Sequence, residues 1–110
     1  EPFKEAYFLE DALKFRAALK MPLVYVGGLV SREKIDEVLG HGFEFVSMAR
    51  ALLNDPAFVN RMKEDGQARC DCGHSNYCIA RMYSLEMACH KHMQNLPKSI
   101  IKEIDKLEYK

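Results

Sequence analysis

The spacing of apolar residues divides the chain into alternating helical and extended segments. In "YFLEDALKFRAALK" (7–20), Phe8, Ala12, Phe15 and Leu19 recur at i, i+4, i+7 and i+11, which predicts a helix with one apolar stripe. Met21–Pro22 ends it, because the residue before a proline is pushed out of helical geometry. "PLVYVGG" (22–28) is a β-branched run without polar alternation. It predicts a strand buried on both faces, with Tyr25 in the core and Gly27–Gly28 as its stop. Ser31 is placed to cap a second helix, "REKIDEVLGHG", with Glu33 in its positive first turn. Ile35, Val38 and Leu39 form its apolar stripe, and Gly40 or Gly42 closes it. His41, in a Gly-His-Gly turn, reads as a solvated loop residue. "FEFVSM" (43–48) predicts a second strand, and "ARALLNDP" a helical turn. Asp55–Pro56 opens a further helix over 56–65, stopped by Gly66. Residues 79–92 read as helical. "SIIKEIDKLEYK" (99–110) predicts a terminal amphipathic helix carrying Ile100, Ile101, Ile104 and Leu107.

Helices alternating with strands imply βαβ units, a parallel sheet and an α/β fold. Two parallel strands alone leave exposed edges and little core. The expectation is therefore a C-terminal fragment of a (β/α)8 barrel: the last two β/α units plus C-terminal helices, helix-rich in isolation. Residues 1–66 would hold the two units, and residues 67–110 a cysteine-containing segment and the terminal helices. A chain that starts at Glu1 rather than Met fits an excised piece.

Composition narrows the function classes. Hydrophobic residues make up 48% of the 110 residues and charged residues 29%, a globular balance rather than a disordered one. Sixteen basic and sixteen acidic side chains cancel, which argues against a nucleic-acid or membrane-surface partner. No apolar run approaches the roughly 20 residues of a membrane span, and no secretory leader is visible. All four cysteines lie between Cys70 and Cys89. A disulfide scaffold would spread them to staple distant loops, so free thiols or a metal site in the cytoplasm are expected.

Two features follow the two strands: Gly27–Gly28 after "PLVYV", and Ala49–Arg50 after "FEFVSM" at the start of a helical turn. Paired glycines let a backbone approach a ligand closely, and N–H groups at a helix start attract anions. In (β/α)8 barrels the loops after the last two strands often bind phosphate. Gly27, Gly28, Ala49 and Arg50 are thus the candidate phosphate site, with Arg50 placed to add charge or to stack on a planar ring. The bland alternative is a turn and a solvated arginine.

At this point the residues resemble a known family. "PLVYVGGLVSREKIDEVLGHGFEFVSMARALLNDPAFVNRMKEDG" is similar to the last two β/α units of the Old Yellow Enzyme family of flavin oxidoreductases. The "NYC" segment resembles its bacterial branch of NADH oxidases and 2,4-dienoyl-CoA reductases. The likeness covers about residues 8–90, and "MARALLNDP" with the downstream cysteine cluster is its most specific part. It implies a TIM barrel holding FMN, with hydride passing from NAD(P)H through the flavin to an activated alkene or similar small acceptor. Gly27 and Gly28 would meet the FMN phosphate through backbone amides, and Arg50 would lie at the phosphate and flavin edge. Ala49 stands where the family pattern has glycine. The catalytic residues of the family are expected upstream of residue 1, so this chain alone is expected to be inactive and, with barrel edges open, to self-associate.

The cysteine segment leaves three readings open. Iron–sulfur members of the family carry Cys-x2-Cys-x3-Cys and a fourth cysteine further on. Here Cys72, Ser75, Cys78 and Cys89 occupy that pattern, and a serine oxygen is a poor replacement for a thiolate. Were 78–89 one helix, Cys78 and Cys89 would stand roughly 16 Å apart at 1.5 Å rise per residue, too far to share a metal. Cys70, Cys72, His74 and Cys78 form a candidate zinc set of a small structural or interaction module without redox chemistry, with His90 and His92 as alternatives. Free thiols packed as small hydrophobes are the third reading.

Overall fold

A computed structural model describes residues 3–108 of the 110-residue chain. Six α-helices and two strands are found among them. These are α1 (Leu9–Ala18), β1 (Val24–Val26), α2 (Arg32–Gly40), β2 (Phe45–Ser47), α3 (Arg50–Asn54), α4 (Phe58–Glu64), α5 (Tyr77–Arg81) and α6 (Lys98–Leu107), with a 3-10 turn at His90–His92. The predicted order of helices and strands is present, and the chain is α/β and helix-rich. The last two residues of the predicted terminal helix, Tyr109 and Lys110, lie outside the described residues.

β1 and β2 pair in parallel, Val24 with Phe45, Tyr25 with Val46 and Val26 with Ser47. α2 is the crossover between them. The Ser31 hydroxyl accepts the Lys34 N–H at 3.2 Å, so the predicted cap forms. Ile35 and Val38 of α2 are buried, as predicted, while Leu39 faces solvent. Asp55 opens α4 by accepting the Ala57 N–H at 3.1 Å.

The core gathers on one face of the sheet. Tyr25, Val30, Val38, Phe43 and Phe58 are its main members. After α4 the chain returns alongside the β1–α2 loop, where Arg32 N–H donates to Ala68 O and Cys70 N–H to Val30 O, each at 2.9 Å. Ala68 and Cys70 enter the core there.

Three sequence expectations fail, each for a packing reason. β1 is covered on one face only: Tyr25 is buried, but Val24 and Val26 are 57% and 58% exposed, and Phe45 of β2 is 63% exposed. An apolar run predicts burial on both faces only where a second layer is present, and no such layer lies among the described residues. α1 turns a different side inward. Leu9, Ala12 and Leu13 pack on the core, whereas Phe8 and Phe15 are exposed. Finally, 79–92 is not one helix. α5 stops at Arg81, with Ser84 and Leu85 N–H both turning back onto Arg81 O, and the chain reaches His90 through extended residues. On α6 only Ile104 is buried, and Ile100, Ile101 and Leu107 remain exposed.

Phe58 has no exposed surface and sits at the centre of the core. Phe58→Ala is therefore expected to destabilise the fold by about 3–5 kcal/mol in urea denaturation. Phe45→Ala, on the open sheet face, is expected to change stability by about 0.5 kcal/mol or less. Equal effects would contradict the one-sided core.

Candidate anion cradle and thiol pocket

The C-terminal ends of β1 and β2 open onto a shared cavity of about 80 Å³. Gly27, Gly28, Ala49 and Arg50 all line it, so the structure brings the four sequence-predicted residues together. Tyr7, Ser47 and His74 also line it; Tyr7 and Ser47 carry no sequence signal for this site, and His74 is a residue of the predicted zinc set.

The glycine pair is required by its backbone. Gly27 has φ 142° and Gly28 φ 67°, in the region that side chains disfavour. A Cβ on Gly28 would also come within 2.5 Å of the Tyr7 ring, and one on Gly27 within 2.7 Å of the Phe8 ring. The turn is pinned from beneath: the buried Tyr25 hydroxyl donates to Gly27 O at 2.9 Å and accepts the Phe8 N–H at 3.3 Å. Burial pushes the Tyr25 phenol above its ordinary pKa, so it stays a donor. The segment before α1 lies over the glycines, with Ala6 N–H donating to Gly28 O at 3.0 Å. Glu5 anchors that segment. One carboxylate oxygen accepts from the Ser31 hydroxyl at 2.6 Å and the Val30 N–H at 3.2 Å, and the other pairs with Arg69 at 3.3 Å.

Ala49 has φ −124°, outside the left-handed region that favours glycine, so its backbone does not call for the glycine of the resembled pattern. Arg50 begins α3, a helix of only five residues. Its guanidinium donates to the Tyr7 hydroxyl at 3.0 Å and to the Asn76 amide oxygen at 2.5 Å. Both partners are neutral. Arg16, Arg32, Arg61 and Arg69 each pair with a carboxylate; among the described residues Arg50 and Arg81 have no such partner, and Arg81 donates to Glu86 O at 2.7 Å.

On the far side of Arg50 and His74 is a smaller cavity of about 20 Å³, lined by Cys72, Cys78 and Cys89 as well as Asn76. Of the predicted zinc set, Cys72, His74 and Cys78 line this cavity, with Cys72 Sγ 3.6 Å from His74 Nδ1. Cys70 is instead in the core beside Val30. Cys89 joins the others because the helix breaks after Arg81, which removes the separation a continuous helix would impose. Among the described residues, no three His, Cys, Asp or Glu side chains form a group that could hold a metal ion. Burial raises the pKa of Cys70 and Cys72, so both are thiols at neutral pH. Burial, and secondarily the Arg50 charge, lowers that of His74, which is a neutral imidazole there.

Asn54, buried at the end of α3, fastens the cysteine segment to the cradle. Its amide donates to Asp71 Oδ1 at 2.6 Å, its oxygen accepts the Asp71 N–H at 3.1 Å, and its nitrogen lies 3.6 Å from Cys89 Sγ. Lys91 bridges Asp71 and Glu108 at 3.4 and 3.0 Å.

Comparison with known proteins gives two kinds of relative. Over 83 residues the chain is 45% identical to the 4,4'-dithiodibutanoate disulfide reductase of Rhodococcus erythropolis, covering 76% of the chain and 21% of that protein. Over 56 residues it is 39% identical to the imidazole glycerol phosphate synthase subunit HisF of Pelodictyon phaeoclathratiforme and 38% identical to that of Chlorobium chlorochromatii. Each match covers 51% of the chain and 22% of the HisF subunit. The chain thus spans about a fifth of the length of the curated relatives it matches. No protein-family model and no solved structure matches it.

The Asp71 carboxyl is held below its ordinary pKa, first by the Asn54 hydrogen bond and then by Lys91. A depressed carboxyl adds stability above its unfolded value of about 3.9, and this is lost as pH falls through the lower folded value. The stability difference between the wild type and Asp71→Asn is expected to be constant from about pH 7 to 5 and to shrink below about pH 4. A difference that grows on acidification would contradict this staple.

Proposed function

We propose that this chain supplies the phosphate cradle of an FMN-dependent oxidoreductase built on a (β/α)8 barrel, of which it forms the last two β/α units and the helices that follow. The observation that carries this reading is the Arg50 guanidinium, without a carboxylate partner among the described residues, lining one cavity with two positive-φ glycines. An unneutralised arginine beside close-approach backbone is suited to a dianionic group.

The fit to FMN is that of its phosphate. A cavity of about 80 Å³ takes a phosphate group. A pocket for a whole drug-sized ligand is several times larger, so the ring system would extend beyond it. When bound, the flavin supplies hydride transfer from a reduced nicotinamide to an acceptor. This chain's part is to bind and orient: the Gly27–Gly28 turn offers backbone at contact distance, Arg50 supplies positive charge, and Tyr25 holds the turn in shape. The bare sheet face of Val24, Val26 and Phe45 is the surface that the remaining strands of a barrel would cover. The relatives support this reading. The Rhodococcus protein is named as a reductase, and the HisF subunits carry a phosphate ester in their enzyme's name.

The rival reading, a zinc-bound interaction module, would need Cys72, His74 and Cys78 to close into a metal-holding group that they do not form here. It accounts for neither the glycine turn nor an Arg50 held by two neutral partners.

Titration of the chain with inorganic phosphate, followed by amide NMR shifts, tests the proposal. Millimolar phosphate is expected to shift Gly27, Gly28 and Arg50, and Arg50→Met to weaken binding about tenfold, as for loss of a charged hydrogen-bond partner. With FMN and NADH present, the chain alone is expected to show no NADH oxidation. Shifts confined to other residues, or none, would overturn the assignment.

A further inference from the structure

The loop between the two cavities has an unusual construction. Within three residues, two that are not glycine adopt the left-handed conformation: His74 at φ 56° and Asn76 at φ 64°. Strain of this kind is held in place only by its surroundings and concentrates at functional sites.

Asn76 also does not do what an asparagine at its position normally does. It is the N-cap of α5, and its carbonyl accepts the Ile79 and Ala80 N–H groups, each at 3.1 Å. An N-cap asparagine ordinarily turns its side-chain oxygen onto the first free N–H groups of the helix. Here the side chain makes no capping bond, and the Ser75 hydroxyl accepts the Tyr77 N–H at 3.4 Å instead. The Asn76 amide is thereby released to reach across 26 positions of sequence and accept from Arg50 Nη1.

We propose that Asn76 is a positioning residue for Arg50, fixing the guanidinium at the mouth of the cradle without cancelling its charge. The choice of a neutral acceptor matters. An aspartate or glutamate there would hold Arg50 equally well but would compete with an incoming phosphate for the same positive charge. Donating to the Asn76 amide oxygen on one side and to the Tyr7 hydroxyl on the other restricts a long side chain that would otherwise lose its freedom on binding. The cysteine segment therefore acts as a clasp on the anion site, whatever the state of its thiols. This inference rests on the reading of the cradle as a phosphate site.

Phosphate titrations of the whole chain in four forms separate the two claims: wild type, Asn76→Gly, Arg50→Met and the double variant. Glycine keeps the positive φ, so the turn is retained while the amide is lost. Asn76→Gly is expected to raise the phosphate dissociation constant about fivefold, the scale of ordering one long side chain on binding, with the cooperative urea transition retained. In the Arg50→Met background the same change is expected to have no further effect. The Arg50 side-chain N–H resonance should sharpen or shift in Asn76→Gly even without phosphate. Asn76→Asp, which keeps both acceptor and turn, is expected to weaken phosphate binding by cancelling charge. If Arg50→Met weakens binding but Asn76→Gly does not, or if Asn76→Gly acts equally in both backgrounds, the positioning role is wrong. If Arg50→Met leaves phosphate binding unchanged, the phosphate reading itself fails, and the positioning claim with it.

Discussion

The parallel pairing of β1 with β2 is the constraint on which the rest depends. Val26 sits opposite Ser47, so both strands end at the same level and their exits open to the same side. A parallel pair needs a crossover, and α2 provides it, with its Ser31 cap and its Ile35 and Val38 stripe. The glycine turn and Arg50, 22 residues later in sequence, then line one cavity. A one-residue slip would move Tyr25 off the core face.

A second layer of interactions locks the exits. Glu5 draws the N-terminal segment across Gly28, and Asn54 draws the cysteine segment against α3. Both are buried or half-buried polar side chains with every bond directed at backbone or at a partner in another element. They join pieces of chain that the small core alone would leave loose. The result is a cradle whose floor comes from strand ends and whose walls come from Tyr7 on one side and His74 on the other.

Much of this was legible in the sequence, and the misses share a cause. Local signals such as the Ser31 cap, the Asp55–Pro56 start and the glycine stops are carried by residues a few positions apart, and each appears where expected. The four residues of the cradle could be named because strand ends in a parallel pair are level. Tyr7 and Asn76 could not, since their roles come from tertiary contacts with Arg50 across 43 and 26 positions. The inward face of α1 and the bare face of β1 were misread for a related reason. Apolar periodicity reports which side chains prefer burial, and the layer that would cover Phe15, Val24 and Val26 is not among the described residues. In 79–92, "MYSLEMA" has helical spacing, yet the helix stops at Arg81 and the chain turns back so that Cys89 and His92 lie against Asn54 at the end of α3.

In the proposed site a phosphate group sits against Gly28 and Arg50. The ³¹P resonance of FMN titrated with the chain reports on it directly, because only the phosphate, not the ring, is placed in the cradle. A shift of that resonance by the wild-type chain, lost with Arg50→Met, is the predicted result. An unmoved resonance, or an equal shift with Arg50→Met, would contradict the account.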